Sequence, residues 1–120
     1  ISADMRDIKE AIKKGNKQAL LARNKFIYDI KRYVGEFIVI MEGLDAITFT
    51  GGIGQHDCEL REKVLNAISF LGMTIDSRKT NANEKIISAD NSKIKALVLE
   101  TNEEIVVARE TISVIQKLNL

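Results

Sequence analysis

The stretch that decides the fold is Asp45-Ala-Ile-Thr-Phe-Thr-Gly-Gly-Ile-Gly-Gln-His-Asp57. A short apolar run at residues 46–49 leads directly into Gly51, Gly52 and Gly54, and an amphipathic helical pattern begins near Asp57. A strand, a glycine-rich turn and a helix in this order present backbone N–H groups and a positive helix end to a phosphate or nucleotide. The stretch predicts an α/β protein with nucleotide chemistry, and it does not name the reaction.

Composition indicates a folded globular chain. Its 120 residues are 45% hydrophobic and 29% charged, and this length suits one domain or part of one. The 18 basic and 17 acidic residues are spread along the chain, and only two tyrosines and four phenylalanines are present. Without a basic stripe or stacking aromatics, we expect no nucleic-acid partner. Charges interrupt every apolar run well before the roughly 20 residues of a membrane span, so we expect no membrane partner either.

The single cysteine, Cys58, excludes a disulfide framework within the chain and fits a cytoplasmic protein. No signal-peptide pattern is present. The sequence starts at Ile1 and contains no proline. We therefore expect residues 1–120 to form a single incomplete domain of a longer protein.

Apolar spacing predicts two buried strands, separated and followed by helices. The predicted helices cover residues 4–14, 17–42, 57–71 and 102–118. The predicted strands cover residues 45–50 and 94–99, with a shorter one at 85–88, whereas residues 76–83 read as loop and turn. Strands alternating with helices imply parallel pairing with a right-handed crossover. Two strands do not make a stable parallel sheet, so we expect further strands upstream of this sequence.

The predicted helix at residues 17–42 repeats apolar side chains every seven residues, namely Leu20, Ile27, Val34 and Met41. It would reach about 39 Å, which is long for a domain of this size and indicates packing against additional protein. The predicted helix at residues 102–118 places four apolar side chains on a buried face: Ile105, Ala108, Ile112 and Ile115.

The glycine turn has two interpretations. It lacks the Lys-Ser/Thr ending of a P-loop, and Asp57 stands where the dinucleotide fingerprint needs glycine. It can be a tight connection between strand and helix. Alternatively, it is a flat backbone surface against which a nucleotide lies, since glycines allow close approach. The second interpretation is favoured by the loop that follows the other strand.

That loop is Glu100-Thr-Asn-Glu-Glu104. Thr101 and Glu104 have capping-box spacing, which leaves Glu103 free. A carboxylate at the carboxyl end of a parallel strand can hold a hydrated Mg²⁺, whereas the alternative is an acid that complements the helix dipole. Because both loops open on one sheet edge, where α/β proteins bind ligands, the site interpretation is favoured for both.

Other polar residues have simpler interpretations. Asp4 is expected to cap the first helix, with Arg6 solvated. Cys58 lies near a helix start, but His56 is the only base near it in the sequence, so we expect no Cys-His nucleophile here. Five arginines are expected on solvated helix faces: Arg23, Arg32, Arg61, Arg78 and Arg109.

Several separated motifs resemble the acetate kinase family, in order and over essentially the whole chain. They are Ser2-Ala-Asp-Met-Arg-Asp-Ile8, the stretch from Asp45 to Gly54, Arg61-Glu62, Phe70-Leu-Gly72, and Thr101-Asn-Glu-Glu104 with Ala108-Arg109. The match is to the C-terminal third of the family's protein. The resemblance implies part of an actin-like (ribonuclease H-like, sugar kinase/Hsp70-type) domain, with parallel strands flanked by helices. It also implies reversible phosphoryl transfer between ATP and a short-chain carboxylate such as acetate, giving ADP and acetyl phosphate with Mg²⁺.

The resemblance also implies site residues. The adenosine would be bordered by Asp4, Met5 and Arg6. The adenine and ribose pocket would be lined by Gly52, Ile53, Gly54, Gln55 and His56. Glu103 would be the carboxylate associated with magnesium. After Gly54 the family usually has Glu-Asn, so Gln55-His56 puts nucleotide affinity in question more than reaction type.

The family's phosphoryl-transfer residues and its acid pocket lie upstream of this segment, so we expect no catalytic residue here and an inactive isolated chain. The resemblance implies a homodimer through this region, with the helix at residues 17–42 as a contributor. The alternative is a non-catalytic nucleotide-binding or interaction module with an actin-like fold. Neither the acid substrate nor the dominant direction follows from these residues.

Overall fold

The computed structural model describes residue 2 and residues 4–118. The elements in this part of the chain are α1 (Met5–Lys13), α2 (Lys17–Ile40), β1 (Ala46–Phe49), α3 (Gly51–His56), α4 (Cys58–Asn66), a 3₁₀ turn (Ser69–Leu71), α5 (Ser77–Asn81), β2 (Lys95–Val98) and α6 (Glu103–Lys117). None of these helices is long and apolar enough to cross a membrane.

The sheet consists of β1 and β2, which pair in parallel with Ala46 opposite Lys95 and Phe49 opposite Val98. The predicted parallel pairing is therefore confirmed, and both strands end at the same edge. Residues 85–88 form no regular strand. They make single antiparallel bridges instead, in which Ile86 pairs with Leu97 and Ser88 pairs with Ile75.

The hydrophobic core lies where the sheet meets α2, α4 and the segment between α5 and β2. Val64, Leu65, Ile87 and Ala96 are fully buried. The other buried members of this cluster are Ile27, Phe49, Leu60, Ile68, Met73, Ile94 and Val98. Burial of these side chains supplies most of the driving force that places α3 and α4 after β1.

Side-chain caps fix the starts of α1 and α2. The Asp4 carboxylate accepts from the Arg6 N–H at 2.8 Å, and the Asn16 side chain accepts from Gln18 N and Ala19 N at 2.9 and 3.0 Å. Both predicted starts are confirmed. The predicted apolar stripe of α2 is covered only in part by this chain. Ile27 is buried, but Leu20 and Met41 are 45% and 57% exposed.

Three connecting segments differ from the sequence prediction. The glycine stretch is itself a short helix, α3, rather than an extended turn. The predicted helix at residues 57–71 ends at Asn66 and is followed by a 3₁₀ turn, which Gly72 closes in the left-handed conformation with φ of 91°. Residues 76–83 contain α5, which Asp76 caps through Arg78 N and Lys79 N.

Helix α6 differs in its start and its burial. Asn102, not Thr101, is the N-cap, since its side chain accepts from Ile105 N at 3.1 Å. The predicted capping box is therefore wrong. The predicted buried face is wrong as well, because α6 buries none of its residues in the described part of the chain. Ile105 and Ile112 are 43% and 53% exposed.

Gly54 has a steric role that its neighbour Gly52 does not share. A Cβ on Gly54 would lie 3.1 Å from the backbone carbon of Phe49, whereas a Cβ on Gly52 would meet nothing within 4 Å. We expect Gly54→Ala to lower the free energy of unfolding by about 1–3 kcal/mol, because the backbone of β1 must move. Gly52→Ala is the matched control and should be neutral or slightly stabilising. Denaturant unfolding followed by circular dichroism measures both, and equal stabilities would contradict the close contact.

Candidate functional site

A cavity of ≈ 690 Å³ lies between the start of α1 and helix α3. The α1 side of the cavity is formed by Asp4, Met5, Arg6 and Lys9. The opposite side is formed by Gly52, Ile53, His56 and Asp57. Six of the eight residues that the family resemblance assigns to adenosine therefore line one cavity, although 46 positions separate Arg6 from Gly52 along the chain.

The α1 wall is organised by a contact between Asp4 and Arg6. The Arg6 Nη2 and Nε atoms lie 2.6 and 3.1 Å from Asp4 Oδ2, in addition to the backbone cap. The side-chain hydrogen bond from Arg6, followed by its backbone N–H, lowers the pKa of Asp4 to about 2. Asp4 is therefore a charged cap at neutral pH. The same carboxylate also binds the Arg6 guanidinium and keeps that side chain beside the cavity.

The α3 wall is a backbone surface. Gly51 takes a φ of 68°, which turns the chain from β1 into the helix, and Gly52 and Ile53 face the cavity. Gly54 is buried and packs against the backbone of Phe49, on the side of α3 that faces β1.

Gln55 lies elsewhere, in a separate groove of ≈ 440 Å³ with Asn83, Lys85, Val98, Leu99 and Glu100. The structure thus divides the residues that followed Gly54 in the predicted pocket. His56 lines the cavity, whereas Gln55 faces the ends of the strands.

The junction between α3 and α4 contains a buried carboxylate, Asp57, which is 3% exposed. It accepts from Lys9 Nζ at 2.8 Å, from Arg23 Nη2 at 3.0 Å and from the Leu60 N–H at 3.1 Å. Burial alone would raise the pKa of Asp57, but these donors outweigh it and hold the pKa below its ordinary value. Asp57 therefore remains charged at neutral pH and joins α1, α2 and α4 beside the cavity.

Two arginines that were expected in solvent are buried. Arg23 is 5% exposed and contacts both Asp57 and Glu59, the latter at 2.7 Å. Arg61 is 1% exposed and donates to the carbonyl oxygens of Gly54, Gln55 and Thr80 at 2.8, 2.7 and 3.0 Å. Arg61 thus fixes the last turn of α3. A sequence signal existed, because Arg61 lies three and four residues before Val64 and Leu65 on the apolar face of α4.

The predicted metal ligand, Glu103, begins α6 and lies outside both cavities described above. Within residues 4–118, no group of three or more histidine, cysteine, aspartate or glutamate side chains is arranged to hold a metal ion. Glu103 is exposed, and its carboxylate makes no ion pair in this part of the chain. Cys58 is the first residue of α4 and is half-buried.

The amino-acid sequence of this chain is similar to those of known kinases. Residues 1–109 match the Acetokinase family. The chain belongs to the acetate kinase family. It is 45% identical over 113 residues to acetate kinase of Desulforamulus reducens, covering 92% of the chain and 28% of that protein. It is 40% identical over 120 residues to acetate kinase of Acetivibrio thermocellus, covering 98% and 30%.

Solved structures show the same fold for this acetate kinase family chain. Porphyromonas gingivalis acetate kinase superposes with a TM-score of 0.83 at 37% identity, covering 96% of this chain and 30% of that one. A propionate kinase from Francisella tularensis gives a TM-score of 0.76 at 34% identity, covering 89% and 28%. The predicted α/β class is confirmed, with the two parallel strands and flanking helices of part of an actin-like domain. The chain spans less than a third of the length of these relatives.

We expect Arg61→Met to lower the free energy of unfolding by about 2–4 kcal/mol, because two buried carbonyl groups and one partly buried carbonyl group lose a charged donor. Arg32→Met is the matched control, since the Arg32 side chain is 58% exposed on α2. Chemical denaturation of both variants measures the difference. Equal losses would show that the bonds of Arg61 to α3 contribute no net stability.

The Asp4–Arg6 contact makes the stability of the fold depend on pH in the acid range. A carboxyl group whose pKa is lower in the folded state contributes stability above its unfolded pKa, and loses it as pH falls toward the folded pKa. For Asp4 this window runs from about 4 down to about 2. In Arg6→Ala, the pKa of Asp4 should rise toward the ordinary value of 3.8. Carbon-detected NMR titration measures this rise, and an unchanged pKa would contradict the role of Arg6.

Proposed function

We propose that this chain supplies the adenosine side of an acetate kinase-type active site. The reaction is reversible phosphoryl transfer between ATP and a short-chain carboxylate such as acetate. The observation that carries the proposal is the cavity that joins Asp4-Met5-Arg6 to Gly52-Ile53 and His56. Family resemblance assigns these two distant segments to one nucleoside, and here they face one another.

The chemistry of the cavity suits a nucleoside. Its volume lies within the range of about 300–1,000 Å³ that is usual for small-molecule sites. Met5 and Ile53 offer apolar surface to a flat base, and glycine backbone at position 52 allows close approach. The charged side chains are paired with each other, Arg6 with Asp4 and Lys9 with Asp57. An uncharged base and ribose therefore fit this cavity better than the phosphates do.

Magnesium fits this proposal only as an ion shared with the nucleotide. Mg²⁺ commonly uses one or two protein carboxylates, with phosphate oxygens and water completing its six ligands. Glu103 is an exposed carboxylate at the carboxyl edge of β2, and it offers one such ligand. When bound, the ion would neutralise phosphate charge, while Glu103 orients it toward this edge of the sheet.

The remainder of the active site lies outside this chain in the proposal. Phosphoryl transfer depends on arginines and metal ions around the transferred group, and the pocket described here holds the nucleoside instead. We propose that residues 1–120 are the C-terminal, nucleotide-side part of a cytoplasmic kinase and do not turn over substrate alone. Exposed apolar side chains on α2, among them Tyr33, Phe37 and Ile40, support a role for that helix in a homodimer.

A non-catalytic nucleotide-binding module would share the same cavity. The remainder of the polypeptide separates the two functions, because only a kinase requires transfer arginines and a catalytic aspartate there. The cavity and the family membership together favour the kinase.

Titration calorimetry with Mg-ATP and with adenosine tests the nucleotide site. We expect the chain to bind both ligands. Glu103→Ala should weaken Mg-ATP about tenfold, which corresponds to about 1.4 kcal/mol, because one metal ligand is lost. Adenosine carries no phosphate or metal, so its affinity should not change.

Glu110→Ala is the matched control, since Glu110 is another exposed carboxylate on α6. Mg-ATP binding that Glu103→Ala leaves unchanged would remove the metal role of Glu103. Failure of the unaltered chain to bind adenosine would remove the proposed pocket.

A further inference from the structure

One ion pair at the edge of the cavity joins α1 to the junction between α3 and α4. Lys9 Nζ lies 2.8 Å from Asp57 Oδ2. Lys9 follows Asp4-Met5-Arg6 on the same helix, and Asp57 follows Gly52, Ile53 and His56. The pair therefore connects the two segments that form opposite sides of the cavity.

The two partners differ in how firmly they are held. The Asp57 side chain is 4% exposed and has two further donors, Arg23 on α2 and the Leu60 N–H of α4. The Lys9 side chain is 37% exposed. Asp57 is therefore fixed from the protein interior, and Lys9 reaches across to it from α1. Partial burial makes such a pair more effective than a fully solvated one, because water screens it less.

The pair also sets the charge of the cavity. Lys9 Nζ and Asp57 Oδ2 neutralise each other where both line the wall. Without Lys9, the Asp57 carboxylate would keep Arg23, which it shares with Glu59, and Glu59 is also paired with Lys63 at 2.8 Å. The Asp57 carboxylate would then border the cavity without Lys9, the partner that lines the cavity beside it, whereas Arg23 and Lys63 lie outside the lining.

We propose that Lys9 is a positioning residue of this cavity, which sets the spacing of its two walls and pairs the Asp57 carboxylate at the cavity surface. The proposal rests on the proposed function in one respect, namely that the ligand is a nucleoside. The positioning of the walls is independent of the ligand and can be measured separately.

The test uses the full 120-residue chain with adenosine as the probe. Lys9→Met should weaken adenosine binding about tenfold in calorimetry, the change that follows from losing about 1.4 kcal/mol. It should also speed hydrogen exchange at the first-turn amides of α1, those of Arg6 and Ile8, because α1 loses its tie to Asp57. Lys9→Arg keeps the charge and should restore both properties.

Lys14→Met is the matched control. Lys14 also lies at α1 and pairs with Glu10 at 2.7 Å, but both side chains are exposed and neither lines the cavity. This variant should bind adenosine and exchange like the unaltered chain. Circular dichroism of each variant verifies folding.

The outcomes separate this inference from the proposed function. If the unaltered chain binds adenosine and Lys9→Met matches it in affinity and exchange, the role of Lys9 is wrong. Failure of Lys9→Arg to restore either property would also overturn it, because the charge would not be the cause. If the unaltered chain does not bind adenosine, the proposed function fails. Exchange in Lys9→Met then decides the positioning role, with faster exchange supporting it and unchanged exchange overturning it.

Discussion

The buried carboxylate of Asp57 is the constraint on which the arrangement of the site depends. A buried charge without partners costs several kcal/mol, so the fold must bring donors to it. Those donors come from three places, α1 through Lys9, α2 through Arg23 and α4 through its own first turn. Burial opposes the charge and would raise the pKa of Asp57, but the donors keep that pKa low. Satisfying this one group thus orders three helices around the cavity.

Arg61 has the complementary role, because it supplies donors where the backbone needs them. A helix of six residues with three glycines has low intrinsic stability, and its last carbonyl groups lack partners within the helix. The Arg61 guanidinium bonds two of these carbonyl groups and continues to Thr80 near α5. Phe49 closes the other side of Gly54. The surface that faces the cavity is therefore held by buried polar contacts and by the end of β1.

The sequence was sufficient where local signals decided the structure. The Asp4 cap, the start of α2 at Lys17 and the parallel pairing of the two apolar runs all follow from residue type and spacing. The family motifs also included six of the eight residues that line the cavity, and Lys9 and Asp57 were not among them. The helical state of Gly51–His56 was missed, because glycine disfavours helices and the stabilising donor lies seven residues beyond Gly54. Arg23 and Arg61 were misplaced since their partners are distant along the chain or are backbone carbonyls. Gln55 and His56, adjacent in sequence, face different cavities, and periodicity alone could not separate them.

The stability of helix α6 is limited by the exposure of its apolar side chains. An isolated helix of about 15 residues is marginal in water even with favourable residues, and α6 contains several β-branched ones. In the described chain none of its residues is fully buried, and Val106, Val107 and Val114 remain more than half exposed. Its Asn102 cap and first-turn acids provide only local support. Any contact that covers its valines and isoleucines would therefore stabilise this helix, because a partner that binds only the helical state shifts the equilibrium between helix and coil toward the helix.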